Sequence, residues 1–388
     1  MENADCKWVC TWGCAVSVAD RRPENYAKDL TLRYPIKNML DGSAIRITLS
    51  NFCGNEPIAV TRAYAAKSAG ESSVDPQTLT QITFNSSHSA VINNGCSLVS
   101  DTIPLDVKRG ETITISLYFK DFTHMRTAVT VTGPFSGGYY AAGDYSAAEA
   151  LPAAFSRPTN VYYFLSSVDV FTDNNARAVI CYGDSITAQS WCGYLAQRVL
   201  DSDNKNTAIV RRAASGTRIL RQYDNITYES YGLRGKIRFP AEIPVTAGAD
   251  TVIIQQGIND IIHPVGTDVN IFRPWSDLPT AEEITDGLKR YLSLAHEYGL
   301  KAYLGTPLPI EGWRTYAPFR EDLRCRVNDW MRSTADSDGC IDFDLALRNP
   351  ENPSAFADGF DSGDHLHPSD KAYKKMAATV PEKILTKG

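Results

Sequence analysis

Val179-Ile180-Cys181-Tyr182-Gly183-Asp184-Ser185-Ile186-Thr187 is the stretch on which the fold turns. Four apolar residues in succession read as a strand buried on both faces, the habit of a parallel sheet. Gly-Asp-Ser then stops the strand and opens a helix. In an open α/β sheet this sets Ser185 at the carboxyl end of a strand, where such sheets take their ligands. Unpaired backbone N–H groups at a helix start can hold a developing negative charge. The run thus offers a candidate nucleophile and part of an oxyanion site, although Asp-Ser before a helix also serves as an ordinary N-cap.

Outward from this stretch, toward the C-terminus, strand and helix patterns alternate. Strands are expected over 178–182, 208–212, 251–255, 301–305 and, in a short piece, 341–343. Helices are expected over 191–200, 281–298, 319–334 and 369–385. That alternation implies an α/β domain over 177–388, with a parallel sheet and helices on both faces. Toward the N-terminus the pattern changes. Short segments of period two recur between turn residues, over 44–50, 58–65, 79–84, 97–105, 112–119, 127–132 and 162–171. Ile45-Ile47-Leu49 and Ile113-Ile115-Leu117 alternate with polar residues, as half-buried strands do. Residues 1–172 are therefore expected to form an all-β sandwich of jelly-roll type, joined to the rest by the polar junction Asp173-Asn174-Asn175-Ala176.

A chain of 388 residues with 43% hydrophobic and 22% charged residues has material for two buried cores. Its net charge of −6, with no basic cluster to offset it, argues against a nucleic-acid partner. No run of about 20 apolar residues is present, so no membrane span is expected. Met1-Glu2-Asn3-Ala4-Asp5-Cys6 lacks an apolar signal core, which suggests a cytoplasmic protein, or a secreted one whose signal was trimmed. The nine cysteines are scattered without a tight framework and read as free thiols in a reducing compartment. No zinc-ligand spacing and no Walker or dinucleotide glycine pattern occurs, so neither metal nor cofactor is expected.

Three further segments follow apolar runs: Ala214-Ser215-Gly216, Gly257-Ile258-Asn259-Asp260 and Gly363-Asp364-His365-Leu366-His367-Pro368. A serine hydroxyl needs an adjacent base to act as nucleophile at neutral pH, and the base needs an orienting carboxylate. Of the six histidines, His88 and His124 lie in the β-rich part and His296 on a helix, whereas His365 and His367 sit beside Asp364. Asp364 and His367, three residues apart, can turn their side chains to one side of a tight turn. Gly216 would let a backbone N–H approach a substrate closely, or is a plain turn glycine. Asn259 can donate an amide hydrogen to an oxyanion, or close an Asx turn.

These four segments, in this order and each at a strand end, resemble the SGNH or GDSL family of serine hydrolases over roughly residues 177–388. The resemblance implies a three-layer α/β/α fold, with Ser185 as nucleophile and Asp364 and His367 as the family's Asp-x-x-His pair. It also implies an oxyanion hole from the Ser185 backbone N–H, Gly216 and Asn259. Asp184 and Asp260 are then structural. His365 does not fit the spacing and is read as a neighbour of the base.

Two long loops follow catalytic strands, over 263–275 and 306–316. Their aromatics Trp275, Trp313 and Tyr316 are candidate substrate contacts, since loops over a strand's carboxyl end shape binding sites. The pairing of a β-sandwich with such a domain resembles the carbohydrate esterases of the family. The expected function is a serine esterase acting on short-acyl, above all O-acetyl, esters of carbohydrates. Its partner would be a small-molecule or polysaccharide ester. The competing readings are a lipolytic acylhydrolase (a lysophospholipase or thioesterase) and an inactive glycan-binding protein.

Overall fold

The computed structural model describes residues 6–18, 26–222, 231–265 and 275–386. The stretch around Ser185 enters a five-stranded parallel sheet. Its strands are β1 (Arg177–Gly183), β2 (Thr207–Ala213), β3 (Ala249–Gln255), β4 (Lys301–Gly305) and β5 (Gly339–Ile341), in the order β2-β1-β3-β4-β5. β1 is paired on both sides, and all seven of its residues are buried. Alternate side chains of β1 enter opposite helix layers. Cys181 faces Cys192 of α2 (Trp191–Leu200). Tyr182 stacks edge-on against Phe239 of α3 (Gly235–Glu242) and Tyr291 of α5 (Ala281–Glu297). These contacts define the three α/β/α layers. The chain leaves β1 to one side for β2 and to the other for β3, so the switch point of the sheet lies between β1 and β3. A doubly wound sheet opens its ligand crevice there. Short helices follow both strands: α1 (Ser185–Ala188) after β1 and α4 (Ile258–Ile262) after β3.

Local chemistry sets the helix bounds. α5 begins with a capping box between Thr280 and Glu283, an arrangement worth about 1 kcal/mol. It buries Ile284, Leu288, Leu292 and Ala295, spaced by three and four, on the sheet. α6 (Pro318–Ser333) carries Pro318 at its first turn, where the missing N–H costs nothing. The single helix expected over 369–385 is in fact two, α8 (Asp370–Thr379) and α9 (Glu382–Leu385), because Pro381 cannot continue the α8 hydrogen-bond ladder. The last strand falls at Gly339–Ile341, earlier than expected, because Asp342 serves as N-cap of α7 (Phe343–Leu347). α3 had no counterpart among the expected helices; it begins after Gly232 and contains Pro240.

The N-terminal part is strand-rich. One antiparallel sheet runs Cys6–Gly13, Leu165–Asp173, Ala44–Ser50, Ser97–Val99. A second is built around Leu30–Lys37, Thr112–Phe119 and Arg62–Gly70. Ile45, Ile47 and Leu49 from the first sheet and Ile113, Ile115 and Leu117 from the second are fully buried in one shared core. Two expected strands are split. The run 58–65 breaks at Thr61, so that Ile58–Val60 pairs with Ala90–Ile92 and Arg62–Gly70 with Thr112–Phe119. The run 162–171 breaks at Phe164, whose φ of +62° no strand can hold.

The two parts meet across a packed, hydrogen-bonded face. Val9, Cys10, Met39 and Leu40 belong to the same buried cluster as the side chains of β1 and β2. Cys10 N donates to Ala247 O at 2.8 Å, and Thr132 N donates to Ala188 O, at the end of α1, at 3.3 Å. Arg212 of β2 is fully buried and donates to Ser166 O at 2.9 Å and to Cys14 O. The sandwich therefore forms part of the wall behind the parallel sheet.

Candidate active site

Ser185 stands at the switch point. The last residue of β1 is glycine because nothing larger fits: a Cβ on Gly183 would lie 2.3 Å from Gln255 O and 2.4 Å from Thr187 Oγ1. Asp184 is the N-cap of α1, its Oδ1 accepting from Ile186 N at 3.1 Å. It has no solvent exposure. Burial is the main reason that its pKa is pushed up to about 7, with the nearby Asp260 carboxylate adding to the rise. Asp184 thus caps the turn that carries Ser185.

The Ser185 hydroxyl lies 3.0 Å from His367 Nε2, and His367 Nδ1 lies 2.6 Å from Asp364 Oδ2. Asp364 also accepts from the backbone N–H of His367 at 2.8 Å and of Leu366 at 3.0 Å. Partial burial alone would raise the Asp364 pKa, but the His367 ring and these N–H donors outweigh it and hold the carboxyl below its ordinary range. An ionised carboxylate only accepts, so the ring proton of a neutral His367 is on Nδ1 and Nε2 is left to accept from the Ser185 hydroxyl. Three-residue spacing achieves this because Asp364 turns its own loop, binding the very N–H groups that precede and carry the imidazole.

His365 points elsewhere. Its Nδ1 pairs with Asp361 Oδ2 at 2.5 Å, and its φ is +64°. A Cβ on Gly312 would lie 2.6 Å from the His365 ring, so the loop over 306–316 reaches the loop that carries His367.

Gly216 and Asn259 meet through Thr217. Gly216 has φ +76°, and a Cβ on it would strike the Tyr231 ring at 2.5 Å, so only glycine is accommodated. Asn259, on α4, is 2% exposed and donates from Nδ2 to Thr217 O at 3.1 Å. Among the described residues, this is the one acceptor that the Asn259 amide finds. Asp260 accepts from Ile219 N at 2.7 Å and Leu220 N at 3.1 Å, which ties this loop to the end of β3. Among the described residues, neither the Ser185 nor the Gly216 backbone N–H finds a hydrogen-bond acceptor. The arrangement sets an imidazole nitrogen within hydrogen-bond reach of the Ser185 hydroxyl, a geometry that acyl transfer can use.

The aromatic candidates are placed differently from one another. Trp275 is 65% exposed and packs at 5.6 Å on Phe319. Trp313 and Tyr316 are partly buried and pack against the core around the parallel sheet. Arg314 lies over the Trp313 ring at 4.7 Å. Residues 266–274 of the first long loop lie outside the described residues. Arg238 and Thr217 did not emerge from the sequence. The one available signal was Arg238 and Glu242 at helical i,i+4 spacing, in a stretch that a proline made a poor helix candidate.

The model of the GDSL-like lipase/acylhydrolase family matches residues 181–375, half of the chain. Among curated proteins none matches. Similar solved structures include a GDSL-like lipase from Bacteroides thetaiotaomicron, 17% identical, covering 54% of this chain and 87% of that one at a TM-score of 0.37. An acetylxylan esterase from Geobacillus stearothermophilus is 18% identical, with 54% and 95% covered and a TM-score of 0.39.

Proposed function

The chain belongs to the GDSL-like lipase/acylhydrolase family, and on that footing we propose that it is a serine esterase removing short acyl groups, chiefly acetyl, from carbohydrates. The observation that carries the reading is the continuous chain from Ser185 Oγ through His367 to Asp364. Ser185 attacks the ester carbonyl while His367 Nε2 takes its proton. Asp364 stabilises the imidazolium that results. The backbone N–H groups of Ser185 and Gly216 and the free amide hydrogen of Asn259 receive the oxyanion. His367 then returns the proton to the leaving alcohol, and water repeats the sequence on the acyl-enzyme.

The preference for a small acyl group and a polyhydroxylated alcohol rests on the rim. The loop that brings the base carries Asp361, Ser362, Asp364 and His365, all polar, with Asp361 half-buried and the other three exposed. Such a rim offers hydrogen bonds to the hydroxyl groups of a sugar. The test is hydrolysis of p-nitrophenyl acetate, butyrate, octanoate and palmitate by the wild type and by Ser185→Ala. A steep fall in kcat/KM beyond acetate, abolished by the substitution, is expected. A maximum at octanoate or longer would move the assignment to lipids or acyl thioesters.

A further inference from the structure

Behind the proposed oxyanion site lies a buried ion pair that no step of the reaction uses. Arg238 and Glu242, on consecutive turns of α3, are 0% and 1% exposed. Arg238 Nε donates to Glu242 Oε1 at 2.9 Å and Nη2 to Oε2 at 3.0 Å. The remaining hydrogens of the fork go to three points near the site. Nη1 reaches Gly183 O at 3.2 Å and Thr217 Oγ1 at 3.0 Å, and Nη2 reaches Arg212 O at 3.0 Å. All five guanidinium donors are therefore spent. The guanidinium carbon also lies 4.9 Å from the Tyr182 ring centre.

These acceptors are not scattered. Gly183 ends β1, two residues before Ser185. Thr217 follows Gly216. Arg212 lies near the end of β2. One rigid planar group thus spans the two strand ends that present the two candidate backbone donors. Thr217 passes the constraint on: its hydroxyl donates to Ala214 O at 3.0 Å and accepts from Gln256 Nε2 at 3.1 Å, and its carbonyl accepts from Asn259 Nδ2 at 3.1 Å. The N-terminal domain holds the far side, because Val16 N donates to Glu242 Oε1 at 3.2 Å.

We propose that the Arg238–Glu242 pair, acting through Thr217, is a positioning element that sets the spacing of the oxyanion donors at Ser185, Gly216 and Asn259. A buried pair of this kind is a weak source of stability, and apolar replacement of both partners is often tolerated. Its arrangement across two strand ends is what a reaction needing donors placed to within about half an ångström would require. The inference rests on the serine esterase reading above.

The experiment uses the full chain and four variants: Ser185→Ala, the double substitution R238M/E242M, Thr217→Val and Thr217→Ser. For each, the melting temperature, kcat and KM on p-nitrophenyl acetate, and the inhibition constant of phenylboronic acid are measured. The boronate forms a tetrahedral anion on an active serine and reports the oxyanion site separately from turnover. The double variant is expected to fold and to lose about a hundredfold in kcat, with KM within about threefold and boronate binding weakened in step. Thr217→Val should lose about tenfold or more in kcat, and Thr217→Ser should recover most of it. A folded double variant with wild-type kcat and boronate affinity would overturn the proposal while leaving the esterase reading intact. If the double variant does not fold, Thr217→Val decides alone: unchanged kcat and boronate binding overturn the proposal. Activity that survives Ser185→Ala would remove the esterase reading, and the positioning role with it.

Discussion

Ser185 and His367, the proposed nucleophile and base, reach one hydrogen-bonded chain from opposite surroundings. Ser185 is set by a buried frame: Asp184, Asp260 and Arg238 have no solvent exposure; Asp184 caps its own turn, while Asp260 and Arg238 tie together segments distant in sequence. Asp364 and His367 sit on a loop at the surface, and what orients them is local. The Asp364 side chain is 43% exposed, and its partners are its own neighbours Ser362, Leu366 and His367. The difference separates two kinds of dependence. Changes on the base loop should cost activity and little stability. Changes in the frame should cost stability as well, because buried polar groups lose partners that water cannot replace.

The largest effects should come from the first two members of the chain of hydrogen bonds. Ser185→Ala and His367→Ala should each lower kcat by about three decades or more, with KM changed much less, in steady-state assays on p-nitrophenyl acetate. Their melting temperatures should stay close to that of the wild type, which a drop of many degrees in His367→Ala would contradict. Asp364→Ala should be milder than His367→Ala by about ten- to a hundredfold in kcat, since the imidazole keeps some activity without its orienting carboxylate.

Asp184 tests the frame. Its folded pKa of about 7 lies above the ordinary carboxylate value, so between roughly pH 4 and 7 the folded chain holds a proton that the unfolded chain has released. This group therefore makes the protein less stable as pH rises through that window, by an amount on the order of 4 kcal/mol at most. Asp184→Asn keeps the oxygen that caps Ile186 N and removes the titration. Melting curves at pH 4.5 and 7.5 should show the variant losing less stability with rising pH than the wild type; identical pH dependence would rule the effect out. The smallest change is expected at His365, whose partner is Asp361 and not the serine. His365→Ala should alter kcat by no more than about threefold, and a loss equal to that of His367→Ala would mean that the wrong histidine carries the base.

The same contrast explains what could be read without a structure. β1 announces itself through four consecutive apolar residues, and the base loop through a three-residue spacing; both are local signals. The strand Leu30–Lys37 escaped because Arg33 and Pro35 interrupt its pattern. In the folded chain Arg33 is buried and satisfied by Ser116 and by the carbonyls of Ser72, Tyr145 and Ala148. Arg238 escaped for a related reason. Gly183, Arg212 and Thr217 lie before α3 in the chain, brought to the guanidinium only by the sheet order. The packing of Val9 and Cys10 against β1 and β2 was equally out of reach, since a strand's period says which face is buried and not what covers it.

The central claim is that Ser185 forms the acyl-enzyme. Intact-mass and peptide mass spectrometry after treatment with a fluorophosphonate tests it most directly. One adduct, on Ser185, is expected on the wild type, with none on Ser185→Ala and much slower labelling of His367→Ala. Labelling of another residue, or equal labelling of the Ser185→Ala protein, would contradict it.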